Sequence, residues 1–478
     1  MDDVIVVGSG PNGLAAAVTL AQAGLTVRVI EGASTSGGGC RTEELTEPGF
    51  RHDVCSAVHP LVAASPFFRQ PLFDDLRASL RQPPVPFAHP LDGGGAAVAA
   101  RSLAETVDHL GADGPAWQAL LAPLVDRADA VVDAVLAPLR SFPAHPAAVG
   151  RFGATGILPA SVVAHRFTEE PAKALLAGAA AHAMAPLSSP LTGAFGLLLT
   201  MLAHTGGWPV AEGGSDAITR ALVAALRQQG GTVETGRWIS ALGELPPGVP
   251  VVLDTSPSGL ATLAGVALPA RGARALRRFR RGPGVCKVDW ALSGPVPWTA
   301  PACRLAGTLH LGGRLSEVAV AEAEVAAGRH PERPFCLIVQ PGVADPTRAP
   351  SGAGTLWGYC HVPAGSDIDM TAAIEAQIER FAPGFSDVVV ARRTVTAADE
   401  QRANPNYVGG DIGGGAADLR QTVFRPTVRW NPYRTGLEGV YLCSSSTPPG
   451  AGVHGMCGLY AARTVLHDRF GGAPPFRR

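Results

Sequence analysis

The chain enters an uninterrupted apolar run, Val4-Ile5-Val6-Val7, closed by Gly8, and this pattern predicts a strand over 2–7 buried on both faces of a parallel sheet. An alanine-rich stretch with helical spacing covers 14–23, stops at Gly24 and gives way to a second apolar run over 26–30. Strand, helix and strand in this order make a βαβ unit. Further on, the pattern predicts helices over 74–82, 104–137 and 171–204, and strands over 98–101, 285–292, 335–340 and 355–360. A helix over 216–229 leads through Gly230-Gly231 to a strand over 232–237, and 251–255 reads as another buried strand, placed at the edge of the first sheet. Close to the far end, 437–443 predicts turn and strand, and 456–467 a helix. The fold class is therefore α/β, with an inserted α+β domain of mixed sheet and helical lid.

The turn between the first strand and its helix is Gly8-Ser9-Gly10-Pro11-Asn12-Gly13, a G-x-G-x-x-G fingerprint in the Rossmann-like context. One glycine permits the tight turn, one lets the backbone approach a pyrophosphate, and one allows close helix-to-strand packing. The helix N-terminus offers N–H groups and a positive dipole to that pyrophosphate. Glu31 stands 18 residues after Gly13, where a carboxylate takes ribose hydroxyls and repels a 2′-phosphate. In a chain with 58 glycines the motif alone is weak; the strand before it, the helix after it and the acid make it specific for a dinucleotide.

Gly37-Gly38-Gly39-Cys40-Arg41-Thr42 follows, where backbone can pass close to a ribityl and phosphate group and Arg41 can face a diphosphate or the edge of a flavin. This continuation resembles the double-glycine-plus-arginine motif of the flavoprotein superfamily that includes amine oxidases and phytoene desaturases. The resemblance implies FAD rather than NAD, held by Gly8, Gly10, Pro11, Asn12, Gly13, Glu31, Gly32, Gly38, Gly39, Cys40 and Arg41, and because Cys40 and Cys457 read as buried apolar thiols the FAD is expected to be non-covalent. In that superfamily the far end of the chain returns with a strand, a glycine turn and a helix aimed at the isoalloxazine. The segment 437–467 is similar, which implies contacts from Ser444, Ser445, Gly452, Val453 and His454, and a helix N-terminus that stabilises negative charge at flavin N1. The same resemblance puts the backbone near Trp238 and Ile239 at the adenine, and Thr255 over the cofactor. The segments 282–292, 345–350 and 404–412 extend the likeness over nearly the whole chain and look most like the phytoene desaturase-related branch. Ser444 departs from it, standing where the family usually has glycine.

Composition narrows the remaining classes. With 39 basic and 40 acidic side chains the net charge is -1, so there is no electrostatic footprint for nucleic acid. Eight cysteines lie scattered without a C-x-x-C pair, so no zinc site is expected, and with no h-region behind Met1-Asp2-Asp3 the reading is a reduced, cytoplasmic protein. The longest apolar stretch, 174–202, carries His182, Pro186 and Pro190, so it reads as paired helices lining an apolar cavity or dipping into a membrane surface, which leaves peripheral membrane contact open.

The expected organisation is a discontinuous FAD-binding domain, 1–60, 206–264 and 424–478, and a substrate domain, 61–205 and 265–423, whose mixed sheet roofs the flavin. The expected activity is an FAD-dependent dehydrogenase or desaturase taking a hydride from a hydrophobic small molecule to flavin N5. Flavin-dependent amine oxidation, redox-neutral isomerisation, and non-catalytic lipid or prenyl binding, as in Rab GDP-dissociation inhibitors, are the alternatives. No second nucleotide fingerprint appears, so oxygen, a quinone or a protein is the expected electron acceptor. Amine oxidases carry a lysine at a strand position comparable to Lys287, which makes Lys287 the first catalytic candidate and His454, as acid or base, the second. His59, Tyr407 and Asp411 are the candidates for lining the substrate pocket.

Overall fold

In the computed structural model, which describes residues 2–138, 143 and 145–473, the two ends of the chain meet in one sheet. Its five strands are all parallel, in the order Val440–Leu442, Val251–Leu253, Val4–Val7, Val27–Ile30 and Thr232–Glu234. The helices Pro11–Gln22 and Met456–Phe470 cross on this sheet, so closely that a Cβ at Gly458 would lie 2.0 Å from the carbonyl oxygen of Asn12. Val251–Leu253 is not an edge strand as expected, since Val4–Val7 and Val440–Leu442 pair with it on either side. All three of its residues are buried, and buried backbone has to find partners on both sides.

The second sheet is mixed and has seven strands, in the order Val389–Val395, Gly284–Leu292, Gly354–Val362, Cys336–Val339, Ala306–Leu311, Val85–Pro90 and Ala96–Ala99. Neighbours are antiparallel except Ala306–Leu311 with Val85–Pro90. Every residue of Gly284–Leu292 is buried. Cys286, Val288, Trp290 and Leu292 pack with Ile374 and Ile378 of the helix Thr371–Phe381. Val285 packs instead with Leu337, Trp357 and Tyr359. That opposite face looks toward the nucleotide sheet.

Three expected helices are broken or shortened. The segment 104–137 divides into Leu103–His109, Gly114–Val125 and Ala128–Val135, with Gly111 in a left-handed conformation at the first break. The segment 171–204 divides into Glu170–Ala181 and Thr192–His204, because Pro186 and Pro190 lie in the connection. The helix Asp74–Ala78 ends early, and Leu80–Arg81 pairs with Val210–Ala211. Among the described residues no single helix is long and apolar enough to cross a membrane; Pro146–Gly156 and Ala160–Arg166 form an apolar pair bent by 99°.

A buried ion cluster ties the connection between Cys336–Val339 and Gly354–Val362 to the segments around Asp53 and Ser215. The Arg348 guanidinium, with no exposed surface, donates to Asp53 and to Asp345, each at 2.9 Å. Asp53 also accepts from the Ser215 amide at 2.7 Å and the Thr42 hydroxyl at 3.0 Å. Burial alone would raise the Asp53 carboxyl, yet Arg348 holds it below the usual carboxylate range. A buried charge is tolerated when its hydrogen-bonding capacity is filled in this way. The cluster fixes the loops that carry 42–59 and 211–216 against the second sheet.

Candidate dinucleotide and substrate site

The first glycine loop is shaped by what lies beneath it. Gly8 has φ +97°, and its N–H donates to the Ile30 carbonyl at 2.8 Å. A Cβ at Gly13 would stand 2.3 Å from the Gly8 carbonyl oxygen, and one at Gly10 would stand 2.5 Å from Asp254 Oδ2. That carboxyl accepts from the Gly13 N–H at 2.9 Å. Burial pushes the Asp254 carboxyl up to about 7, with the Gly13 and Gly10 amides opposing the rise and Glu31 adding to it. Thr255 is the expected contact here, but the residue that holds the turn is its neighbour Asp254, a carboxyl at the end of the apolar run Val251-Val252-Leu253.

Glu31 is also fixed in place. Its Oε2 accepts from the Ser9 amide at 2.8 Å and the Ser9 hydroxyl at 2.6 Å, and its Oε1 accepts from the Ala33 amide at 2.8 Å. Oε1, which accepts a single bond, keeps a further lone-pair direction for a ribose hydroxyl. The Trp238 ring covers Gly32, where a Cβ would come within 2.4 Å of it.

These groups open on a cavity of about 1000 Å³, at the upper end of the roughly 300–1,000 Å³ usual for ligand sites. Gly8, Gly10, Pro11, Asn12, Glu31, Gly32, Gly38, Gly39, Cys40, Arg41, Trp238, Ile239 and Thr255 line one end of it. Ser444, Ser445, Gly452 and Val453 reach the wall from the far end of the chain, and His59 and Tyr407 line it too. Leu337, Trp357 and Tyr359 of the second sheet, none of them a site candidate from sequence, form the other end with His182, Met184 and Leu199 of the segment 174–202. For the last three, the apolar character of 174–202 is the signal in the sequence.

Gly13 does not line the cavity; it lets helix and loop close over Asp254. His454 does not line it either, which corrects the expected acid or base. Its Nδ1 accepts from the Met456 amide at 3.0 Å, so its Nε2–H donates to the Gly450 carbonyl at 3.2 Å, and both ring nitrogens are used inside the loop. Burial lowers this imidazole to about 4, so it is neutral at pH 7. It caps the helix Met456–Phe470 and takes the first N–H that had been expected to face the flavin.

Lys287 lies on the face of the second sheet that looks toward the cavity but is behind its wall. The ammonium is 2% exposed, pairs with Asp289, and stands 5.8 Å from the centre of the Trp357 ring. The other Asp289 oxygen faces His52 Nδ1 at 3.7 Å. Asp411 is likewise outside the lining: its carboxylate accepts from the Gly282 and Gly413 amides at 2.7 and 2.9 Å and pins two loops. Tyr407 packs on the second glycine cluster, where a Cβ at Gly39 would meet its hydroxyl oxygen at 2.2 Å. His59 Nε2 lies 2.9 Å from the Ser215 hydroxyl, and burial lowers the ring to about 4.

The lining fits a dinucleotide. Gly38 faces Gly10, with 3.2 Å between the position of a Cβ and the Gly10 Cα, so two stretches of bare backbone oppose each other. Asn12 Oδ1 and Thr255 Oγ1 are buried polar atoms of lining residues without a hydrogen-bond partner among the described residues. Orphaned polar atoms of this kind are expected where a polar ligand completes the wall.

Residues 6–76 match the NAD(P)-binding Rossmann-like domain family. The chain is 25% identical to mouse pyridine nucleotide-disulfide oxidoreductase domain-containing protein 2, over 98% of this chain and 93% of that protein. A shorter match, 28% identical and covering 26% of each chain, is to the 4,4'-diapolycopen-4-al dehydrogenase of Metabacillus indicus. Among solved structures, cyclohexylamine oxidase from Brevibacterium oxydans superposes with a TM-score of 0.59 at 15% identity, over 98% of this chain and 99% of that one. The matched segment marks a Rossmann-like dinucleotide-binding region, and the chain as a whole shares the fold of cyclohexylamine oxidase.

Proposed function

We propose that the protein is an FAD-dependent oxidoreductase that takes a hydride from an apolar, uncharged small molecule. The observation that carries this reading is one cavity running from two glycine loops and Glu31 to an apolar wall built by the second sheet. The nucleotide end suits the cofactor's adenosine diphosphate, with Glu31 for the ribose and the Pro11–Gln22 helix for the diphosphate. Bound FAD supplies a two-electron acceptor at flavin N5.

The chain's own part is positioning and exclusion of water. Trp357 and Tyr359, edge to face with centroids 5.3 Å apart, together with Leu337, Met184 and Leu199 give the substrate a dry wall. The Lys287–Asp289 pair behind Trp357 holds that part of the sheet rigid rather than reaching the cavity. Among the described residues, the carboxylates lining the cavity are Glu31 and Asp254, both at the nucleotide end. The apolar end therefore offers no counter-charge to an ammonium, which favours C–C oxidation of a neutral molecule over amine oxidation.

The test is anaerobic mixing of purified, FAD-loaded protein with lipid extracts and with a panel of primary and secondary amines, following the flavin absorbance. Bleaching by a lipid fraction and not by amines is expected. Bleaching by amines alone would replace this reading with amine oxidation, and a protein that takes up no FAD would overturn both. Return of the absorbance on adding oxygen or a quinone identifies the electron acceptor.

A further inference from the structure

At the apolar end of the cavity one lining residue stands apart chemically. His182 follows the helix Glu170–Ala181 at its C-terminal cap and lines the cavity beside Met184 and Trp208. Its Nε2 lies 2.9 Å from Nε2 of His310, a ring with no exposed surface. One of the two must donate and the other accept. His310 Nδ1 decides which, because it is buried without a hydrogen-bond partner among the described residues.

An orphaned buried N–H is rarer than an unfilled acceptor lone pair. His310 therefore keeps its Nδ1 unprotonated and carries its proton on Nε2, which donates to His182 Nε2. His182 Nε2 is then the acceptor, so its own proton sits on Nδ1. That nitrogen has no hydrogen bond to the protein among the described residues, and it is not among the buried orphans. Burial lowers His182 to about 3 and His310 well below the ordinary imidazole value, so the pair is neutral and the two protons are placed by geometry. The nearby Trp208 Nε1–H is already donated to the Thr308 hydroxyl at 2.9 Å.

We propose that His182 is the specificity-determining donor of the substrate end, offering its Nδ1–H to an acceptor oxygen, a carbonyl or ether oxygen, on an otherwise apolar ligand. This rests on the reading of the cavity as a substrate site. It adds that a molecule with one acceptor oxygen is preferred over the bare hydrocarbon and over the alkylammonium of the same length.

The experiment uses three probes, 2-octanone, 1-octene and octylamine, and reads their binding from quenching of the fluorescence of Trp208 and Trp357, both at the cavity wall. In His182→Phe the affinity for 2-octanone is expected to fall about 3- to 10-fold, the range of one net hydrogen bond. Affinity for 1-octene stays the same or rises. His182→Gln, which keeps an N–H donor, retains most of the 2-octanone affinity. In the unaltered protein, carbonyl-labelled 2-octanone shows an infrared C=O band at lower wavenumber when bound than in hexane, a readout independent of any variant. An equal change for ketone and alkene, an unshifted carbonyl band, or a loss confined to octylamine would overturn the proposal. Titrations run with and without added FAD separate this from the flavin reading, since failure to bind FAD leaves the ketone-to-alkene comparison intact.

Discussion

The carboxyl of Asp254 lies 2.9 Å from the amide nitrogen of Gly13, directly under the turn that the G-x-G-x-x-G spacing marks. Burial pushes this carboxyl up from an ordinary 3.8 to about 7. Between those values the folded chain holds a proton there that the unfolded chain releases, so its contribution is full below about pH 4 and is lost as the pH rises through 7. At about 1.4 kcal/mol per tenfold change in proton affinity, the loss is on the order of 4 kcal/mol at most. Asp254→Asn removes it. The unfolding midpoint of the unaltered protein relative to that variant is expected to drop between pH 5 and 8. The buried histidines titrate in the opposite sense and cancel in this comparison. An unchanged difference across that range would show that Asp254 is ionised throughout.

Lys287→Met leaves Asp289 buried without its partner, and loss of one member of a buried pair costs roughly 3–5 kcal/mol. A lower thermal midpoint is expected, with much of it regained in Lys287→Met combined with Asp289→Asn. Flavin reduction measured in the double variant then isolates any part the ammonium plays in chemistry. A rate equal to that of the unaltered protein would confine Lys287 to holding the sheet.

Two glycines of the nucleotide region predict opposite outcomes. A Cβ at Gly13 meets the Gly8 carbonyl oxygen at 2.3 Å, which is backbone and cannot withdraw without opening the loop. A Cβ at Gly32 meets the Trp238 ring at 2.4 Å, but that ring is 63% exposed and can swing away. Gly13→Ala is expected to abolish FAD uptake, and Gly32→Ala to weaken it only a few-fold. FAD fluorescence quenching measures both, and comparable losses would contradict the distinction.

Cys40 lines the cavity, yet burial pushes its thiol far above the usual range, so almost no thiolate forms at pH 7. The flavin is therefore expected to be held without a covalent bond. Precipitation with trichloroacetic acid should leave all the yellow colour in the supernatant. Colour retained in the pellet would point to a cysteinyl or other covalent link.

Much of the nucleotide half was legible because its signals are local. The run Val4–Val7, the spacing of Gly8, Gly10 and Gly13, and Glu31 at the second strand's end each follow from what neighbouring residues must do. The strand Val85–Pro90 was missed because two prolines hide it, and Val389–Val395 because three of its seven residues are exposed and none is buried, so neither shows the pattern of a buried strand. His454 could be placed at the right loop but not in its role, since only the fold turns its ring toward Met456 and Gly450.

By itself, then, the sequence determined that a dinucleotide loop forms at one end of the chain and that a strand and helix at the other end resemble its counterpart. Tertiary structure alone decided that Lys287 pairs with Asp289 behind the wall, that Asp254 lies under the glycine turn, and that His182 and His310 meet at the apolar end of the cavity. The reason is physical: strand, turn and helix signals act over a few residues, whereas burial, charge pairing and the position of a proton depend on neighbours that folding brings from distant parts of the chain.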